Sequence, residues 1–77
     1  MKKIIEFLIA NGYFEETEKG AEYRSFFKEG VNSIDVGSKE IVFIGESGDW
    51  LHIPLNYYAL IGVLIDTHQI AINYKSI

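Results

Sequence analysis

Ile53-Pro54-Leu55-Asn56-Tyr57-Tyr58-Ala59-Leu60-Ile61-Gly62-Val63-Leu64-Ile65 is the most apolar segment of the chain, and it holds the only proline. Proline suits the first turn of a helix, where its missing N–H has no partner to lose. The segment reads as a helix over residues 54–68, with Asp66, Thr67, His68 and Gln69 at its polar end. Two apolar stripes run along it. Leu55, Tyr58, Ala59, Gly62 and Ile65 make one, and Tyr57, Leu60, Ile61 and Leu64 make the other. A helix that is apolar nearly all round is covered on more than one side. A sheet covers one stripe. The second needs either another part of the chain or a partner.

The residues before this helix supply the sheet. Residues 39–45 contain Ile41-Val42-Phe43-Ile44 without a break, as expected of a central strand covered on both faces. Residues 49–53 (Asp-Trp-Leu-His-Ile) follow the turn Glu46-Ser47-Gly48 and end at Pro54. Residues 31–36 precede, with Ile34 and Val36 on one face and Asp35 on the other. The Gly37-Ser38 pair between these strands fits a type II′ hairpin, glycine taking the first central position. Residues 21–28 form an earlier strand, bounded by Glu18-Lys19-Gly20 and Glu29-Gly30. Arg24, Phe26 and Lys28 share one face of it; Tyr23, Ser25 and Phe27 share the other. Residues 13–17 are a short strand. Such runs joined by short turns make an antiparallel meander of four or five strands.

At the N terminus, Ile4, Ile5, Leu8 and Ile9 recur at helical spacing, and Asn11-Gly12 stops the helix because glycine accepts the left-handed C′ conformation. A helix this short does not hold itself up in water. It docks through Ile5, Leu8 and Ile9. At the other end, Ile70, Ile72 and Tyr74 alternate with Ala71, Asn73 and Lys75, as a final strand or a partner-binding arm would. The expected fold is a single α+β domain over residues 1–77: a short helix, the meander, and the long apolar helix on one sheet face.

Composition narrows the function. The 77 residues carry 11 acidic and 7 basic side chains, a net charge of −4. A nucleic-acid footprint needs a basic face, so nucleic acid is a poor fit, as is an anionic membrane surface. With no cysteine, disulfides and thiolate metal sites are excluded. Met1-Lys2-Lys3 starts like a secretory n-region, but Glu6 interrupts the apolar run and no small-residue cleavage site follows. The run Tyr57–Ile65 is far too short to cross a bilayer. The expectation is a cytoplasmic protein.

Catalysis is not expected, nor any cofactor or metal. A strand puts Asp49 and His52 on opposite faces, and His68 does not face Asp66 two residues before it on a helix. Ser47, in Gly45-Glu46-Ser47-Gly48, lacks both the spacing and the strand–elbow–helix context of a nucleophile elbow. Glu15-Glu16-Thr17-Glu18 reads as a solvated loop, and Trp50 as a buried or half-buried strand residue.

The burial that a chain of this size achieves roughly offsets its ordering cost, so extra burial through association is the simplest source of stability. The leading expectation is a non-catalytic protein-interaction module that self-associates as a homodimer, or binds another protein, through Tyr57, Leu60, Ile61 and Leu64. One alternative is single-stranded nucleic-acid binding through Tyr23, Arg24, Phe26, Phe27 and Lys28, since aromatic sheet faces stack bases. Another is a small acidic regulatory or inhibitory protein of a mobile element.

Overall fold

The computed structural model describes residues 1–30, 33–45 and 48–77. Its elements, in chain order, are α1 (Lys2–Ala10), β1 (Phe14–Glu15), β2 (Arg24–Phe27), β3 (Ser33–Val36), β4 (Glu40–Ile44), β5 (Trp50–Pro54) and α2 (Tyr57–Asp66). The strands form one antiparallel sheet in the order β1-β2-β3-β4-β5, a complete meander. Both helices lie on one face of it. The expected start of the third strand at residues 31 and 32, and Glu46 and Ser47 of the expected turn, lie outside the described residues.

Register assigns each side chain to a face. Phe26 pairs with Ile34, which pairs with Phe43; Val36 pairs with Ile41, which pairs with Ile53. Phe26, Ile34, Val36, Ile41 and Phe43 are all buried beneath the helices. The opposite face carries Phe14 and Phe27, then the row Ser25–Asp35–Val42–His52, then Ser33–Ile44–Trp50. No helix among the described residues covers it. Val42 is nonetheless buried, because side chains of neighbouring strands close over it. The unbroken run in β4 therefore does not mean a layer on both faces. β4 is also fourth of five rather than central.

Phe7 joins the helical layer together. It is fully buried, and its ring meets Tyr57 edge-on at 5.4 Å and Tyr74 at 5.5 Å. The docking face of α1 is Ile4, Ile5, Phe7 and Leu8, whereas Ile9 points outward. The expectation of Ile9 as a docking residue is thus corrected by a small rotation that favours the larger aromatic ring.

α2 is shorter than its sequence suggests. Pro54 is the last residue of β5, opposite Glu40, and does not open the helix. Asn56 caps it instead, its side chain accepting the Ala59 N–H at 3.0 Å. The local asparagine cap supplies a partner for an otherwise orphaned N–H, which proline at the first turn cannot do. Along α2, Leu60, Ile61 and Leu64 are buried, while Tyr58 and Gly62 face outward. A Cβ built on Gly62 meets nothing within 4 Å, so no backbone approaches the small-residue face.

Both helices end the same way. After α1, Tyr13 N–H bonds to the Leu8 carbonyl and Gly12 N–H to that of Ile9, with Gly12 at φ 94°. After α2, Gln69 N–H bonds to the Leu64 carbonyl and His68 N–H to that of Ile65, with His68 at φ 59°. Each is a Schellman motif, in which a left-handed residue lets the chain fold back onto the last turn. The residues just beyond the two caps then meet: the Tyr13 hydroxyl donates to Gln69 Oε1 at 3.0 Å, and both residues are buried.

The tail does not form the expected strand. The second cap directs it into the helical layer, where Ile70 is buried and Tyr74 packs on Phe7. Asn11 holds it there. Its side-chain amide donates to the Lys75 carbonyl at 2.8 Å, and its Oδ1 accepts from the Lys75 N–H at 3.1 Å. One side chain thus provides the donor and acceptor that a neighbouring strand would have offered.

Candidate interaction surface

The stripe expected to need a partner has its cover within the chain. Leu60 and Leu64 are 0% exposed and Ile61 is 7% exposed, in one cluster with the α1 face and the sheet core. Tyr57 lies against Phe7, with Lys3 Nζ 4.5 Å from its ring centroid. Leu60, Ile61 and Leu64, expected with Tyr57 to face a partner, are thus packed against α1 and the sheet core within the chain, and Tyr57 is half-buried.

The aromatic nucleic-acid face is dispersed. Phe26 is fully buried beneath the helices, whereas Phe27 stands on the other face beside Phe14, their ring centroids 6.1 Å apart. Arg24 makes a two-pronged bond to Glu15, Nε to Oε2 at 2.7 Å and Nη2 to Oε1 at 2.6 Å. That bond and one from Thr17 hold the Glu15 carboxyl down at about 2. Lys28 reaches toward the Tyr13 ring and the Gln69 carbonyl. Tyr23 is half-buried, and its hydroxyl donates to Glu40 Oε2 at 2.5 Å. These five residues offer no common stacking platform, because alternation along β2 sends them to two faces. The helix-free face also carries Asp35 and Glu40, which repel phosphate.

That face holds a polar chain that local sequence patterns do not reveal. Glu40 accepts from Tyr23 through one carboxylate oxygen and meets His52 Nδ1 at 3.0 Å through the other. The Tyr23 hydroxyl lowers the Glu40 pKa, with His52 as the second cause; in turn, the carboxylate raises the pKa of Tyr23. The three belong to β5, β4 and the approach to β2, and only the sheet register assembles them. Pairing the strands on either side of residues 46–48 would have placed residue 40 near 52; nothing local brings in Tyr23. Tyr23, Asp35, Glu40, Val42, Trp50 and His52 line a shallow depression of about 260 Å³.

This chain of bonds orients an imidazole, which a general base also requires. The phenol beside it is tied to a carboxylate and held protonated, so it is not an activated nucleophile. Gly37 protects the arrangement. A Cβ there would lie 2.6 Å from Tyr23 Cε2. Gly37 is not in the left-handed region, so the expected type II′ turn is corrected: this glycine makes room for a ring.

No family model, curated protein or solved structure matches this chain.

The two edges of the sheet differ. β1 is two residues long and leads into Glu16, Thr17 and Glu18, a short and charged edge of the kind that discourages pairing. β5 is five residues long, Trp-Leu-His-Ile-Pro, with no carboxylate, lysine or arginine. Trp50 is 64% exposed and Leu51 47% exposed, so the edge is open on both faces. The buried or half-buried tryptophan expected from the sequence is in fact exposed at this apolar edge. Strand alternation shows which backbone groups are free to pair. Gly45 N–H bonds to the Asp49 carbonyl at 2.7 Å and Leu55 N–H to the Lys39 carbonyl at 3.3 Å. Odd-numbered residues of β5 therefore face β4, and Trp50, His52 and Pro54 direct their backbone groups outward. No strand among the described residues lies beyond them.

No helix among the described residues is long and apolar enough to cross a membrane.

Proposed function

We propose that this chain is a non-catalytic protein-interaction module, acting in the cytoplasm, whose docking element is the outer edge of β5. The observation that carries the reading is the contrast between the two sheet edges: β1 is short and charged, while β5 is open, free of carboxylate, lysine and arginine, and bears exposed Trp50 and Leu51. An open strand edge offers a row of N–H and C=O groups, and alternate side chains beside it give specificity. The oriented His52 ring adds a directional polar contact on the helix-free side, and Trp50 an amphipathic anchor of the type enriched at interfaces.

A displayed library of ten-residue peptides tests the reading. The expected binders alternate apolar and polar residues and lose binding to the Leu51→Lys variant, because a lysine on an edge strand blocks strand addition. Binders indifferent to that substitution would refute it.

A further inference from the structure

The geometry points to a second copy of this chain as the occupant of the edge: β5 pairs antiparallel with β5 of another molecule, about a two-fold axis through His52. The result is one continuous ten-stranded sheet with both helical layers on the same face. This inference rests on the docking reading above and names its partner.

The backbone pattern is self-complementary. In this register His52 exchanges two hydrogen bonds with His52 of the partner subunit, and Trp50 N–H donates to the carbonyl of Pro54 of the partner subunit. Proline has no N–H, so it can serve only as an acceptor at the end of a ladder. A hydrogen-bonded pair would also return an N–H to the Trp50 carbonyl, which Pro54 cannot give, so each end of the seam closes with one bond and leaves that carbonyl to solvent. Pairing at His52, the middle residue of β5, overlaps both strands completely. Moving the axis to Leu51 would leave Pro54 opposite Gly48, which lies outside the strand at φ 86°.

The side chains match as well. On the helix-free face, the exposed Trp50 ring faces the pyrrolidine of Pro54 of the partner subunit. On the helical face, the exposed Leu51 faces Ile53 of the partner subunit. β5 itself carries no carboxylate, lysine or arginine; Asp49 immediately precedes it, and Glu40 is bonded to Tyr23 and His52. A single strand pair is a small interface, which places the dimer in the weak, concentration-dependent class.

Sedimentation equilibrium up to roughly 500 µM, where weak interfaces assemble, should show a reversible monomer–dimer equilibrium. A synthetic chain N-methylated at His52 loses the two symmetric central bonds and keeps every bond to β4. Its dimer should dissociate about ten-fold more readily, with an unchanged far-UV spectrum. The chain has no cysteine, so single cysteines read the register. A short bis-maleimide should join His52→Cys molecules and not the distant Lys19→Cys control. A dimer that cross-links through Leu51→Cys instead, or is indifferent to N-methylation, overturns the inference. A monomer at every concentration that still binds β5-directed peptides overturns it too, while leaving the docking reading intact. Loss of peptide binding as well would remove both.

Discussion

Replacing Tyr13 with phenylalanine removes one oxygen atom and tests how the two ends of the helical layer are joined. The Tyr13 hydroxyl donates to Gln69 Oε1, and Gln69 Nε2 donates to Thr67 Oγ1 at 3.1 Å. In the variant the Gln69 carbonyl oxygen stays buried without its donor. An unsatisfied buried acceptor costs about 1–3 kcal/mol. For a domain of this length each kcal/mol lowers Tm by roughly 4–8 °C, so a fall of about 10 °C is expected. Urea unfolding followed by far-UV circular dichroism is the suitable assay, because Trp50 is largely exposed and reports poorly on the core. Gln69→Leu removes the other partner. The double variant should be less destabilised than the two single variants together, by about 1 kcal/mol or more. Additive losses, or a Tyr13→Phe cost within about 0.5 kcal/mol of zero, the range of an ordinary surface change, would refute the claim that this bond ties the two caps. The phenol offers a second check. Burial pushes it up to about 12 from 10.0, so the folded state holds its proton over a window in which the unfolded state has lost it. Stability therefore falls as pH rises through that window, and Tyr13→Phe should show a shallower fall.

Three further outcomes are expected. Gly62→Ala should stabilise the fold by up to about 1 kcal/mol in urea unfolding, since the added methyl meets nothing and alanine is the better helix former. Gly37→Ala should destabilise it by about 1–3 kcal/mol, because the Cβ must displace the Tyr23 ring; a nuclear magnetic resonance spectrum should show His52 shifts moving with it. The Glu15 carboxyl is held at about 2 against an ordinary 4.5, first by its bond to Arg24. Its contribution is present above that ordinary value and is lost as pH falls through about 2, so Arg24→Met should flatten the acid limb of the stability profile in that window.

Much of the architecture was legible because it is local. The stop at Asn11-Gly12 needs only a glycine that tolerates the left-handed region after an apolar helix, and it is there. The opposed faces of β2 follow from alternation alone, with Phe26 buried and Phe27 on the other side. The meander follows from strand-length runs separated by short turns. Where local reading failed, two local signals competed. Pro54 could end a strand or open a helix, and the bond pattern around Asn56 settled it. The alternating tail had a strand's periodicity but was captured by Asn11, a residue more than sixty positions away.

The apolar run Ile53–Ile65 shows the boundary most clearly. Its composition alone determined that a helix would form and that more than one side of it would be buried. What buries the second side is a contact between Phe7 and Tyr57, which depends on how α1 docks after the whole sheet has formed. The same holds for the Tyr23–Glu40–His52 chain, made by register across separate strands, and for the contrast between a short, charged β1 edge and a longer, open β5 edge. Periodicity reports the environment each residue requires within a few positions of itself. Which distant segment supplies that environment, and which edge is left without a neighbour, is decided only when the elements pack.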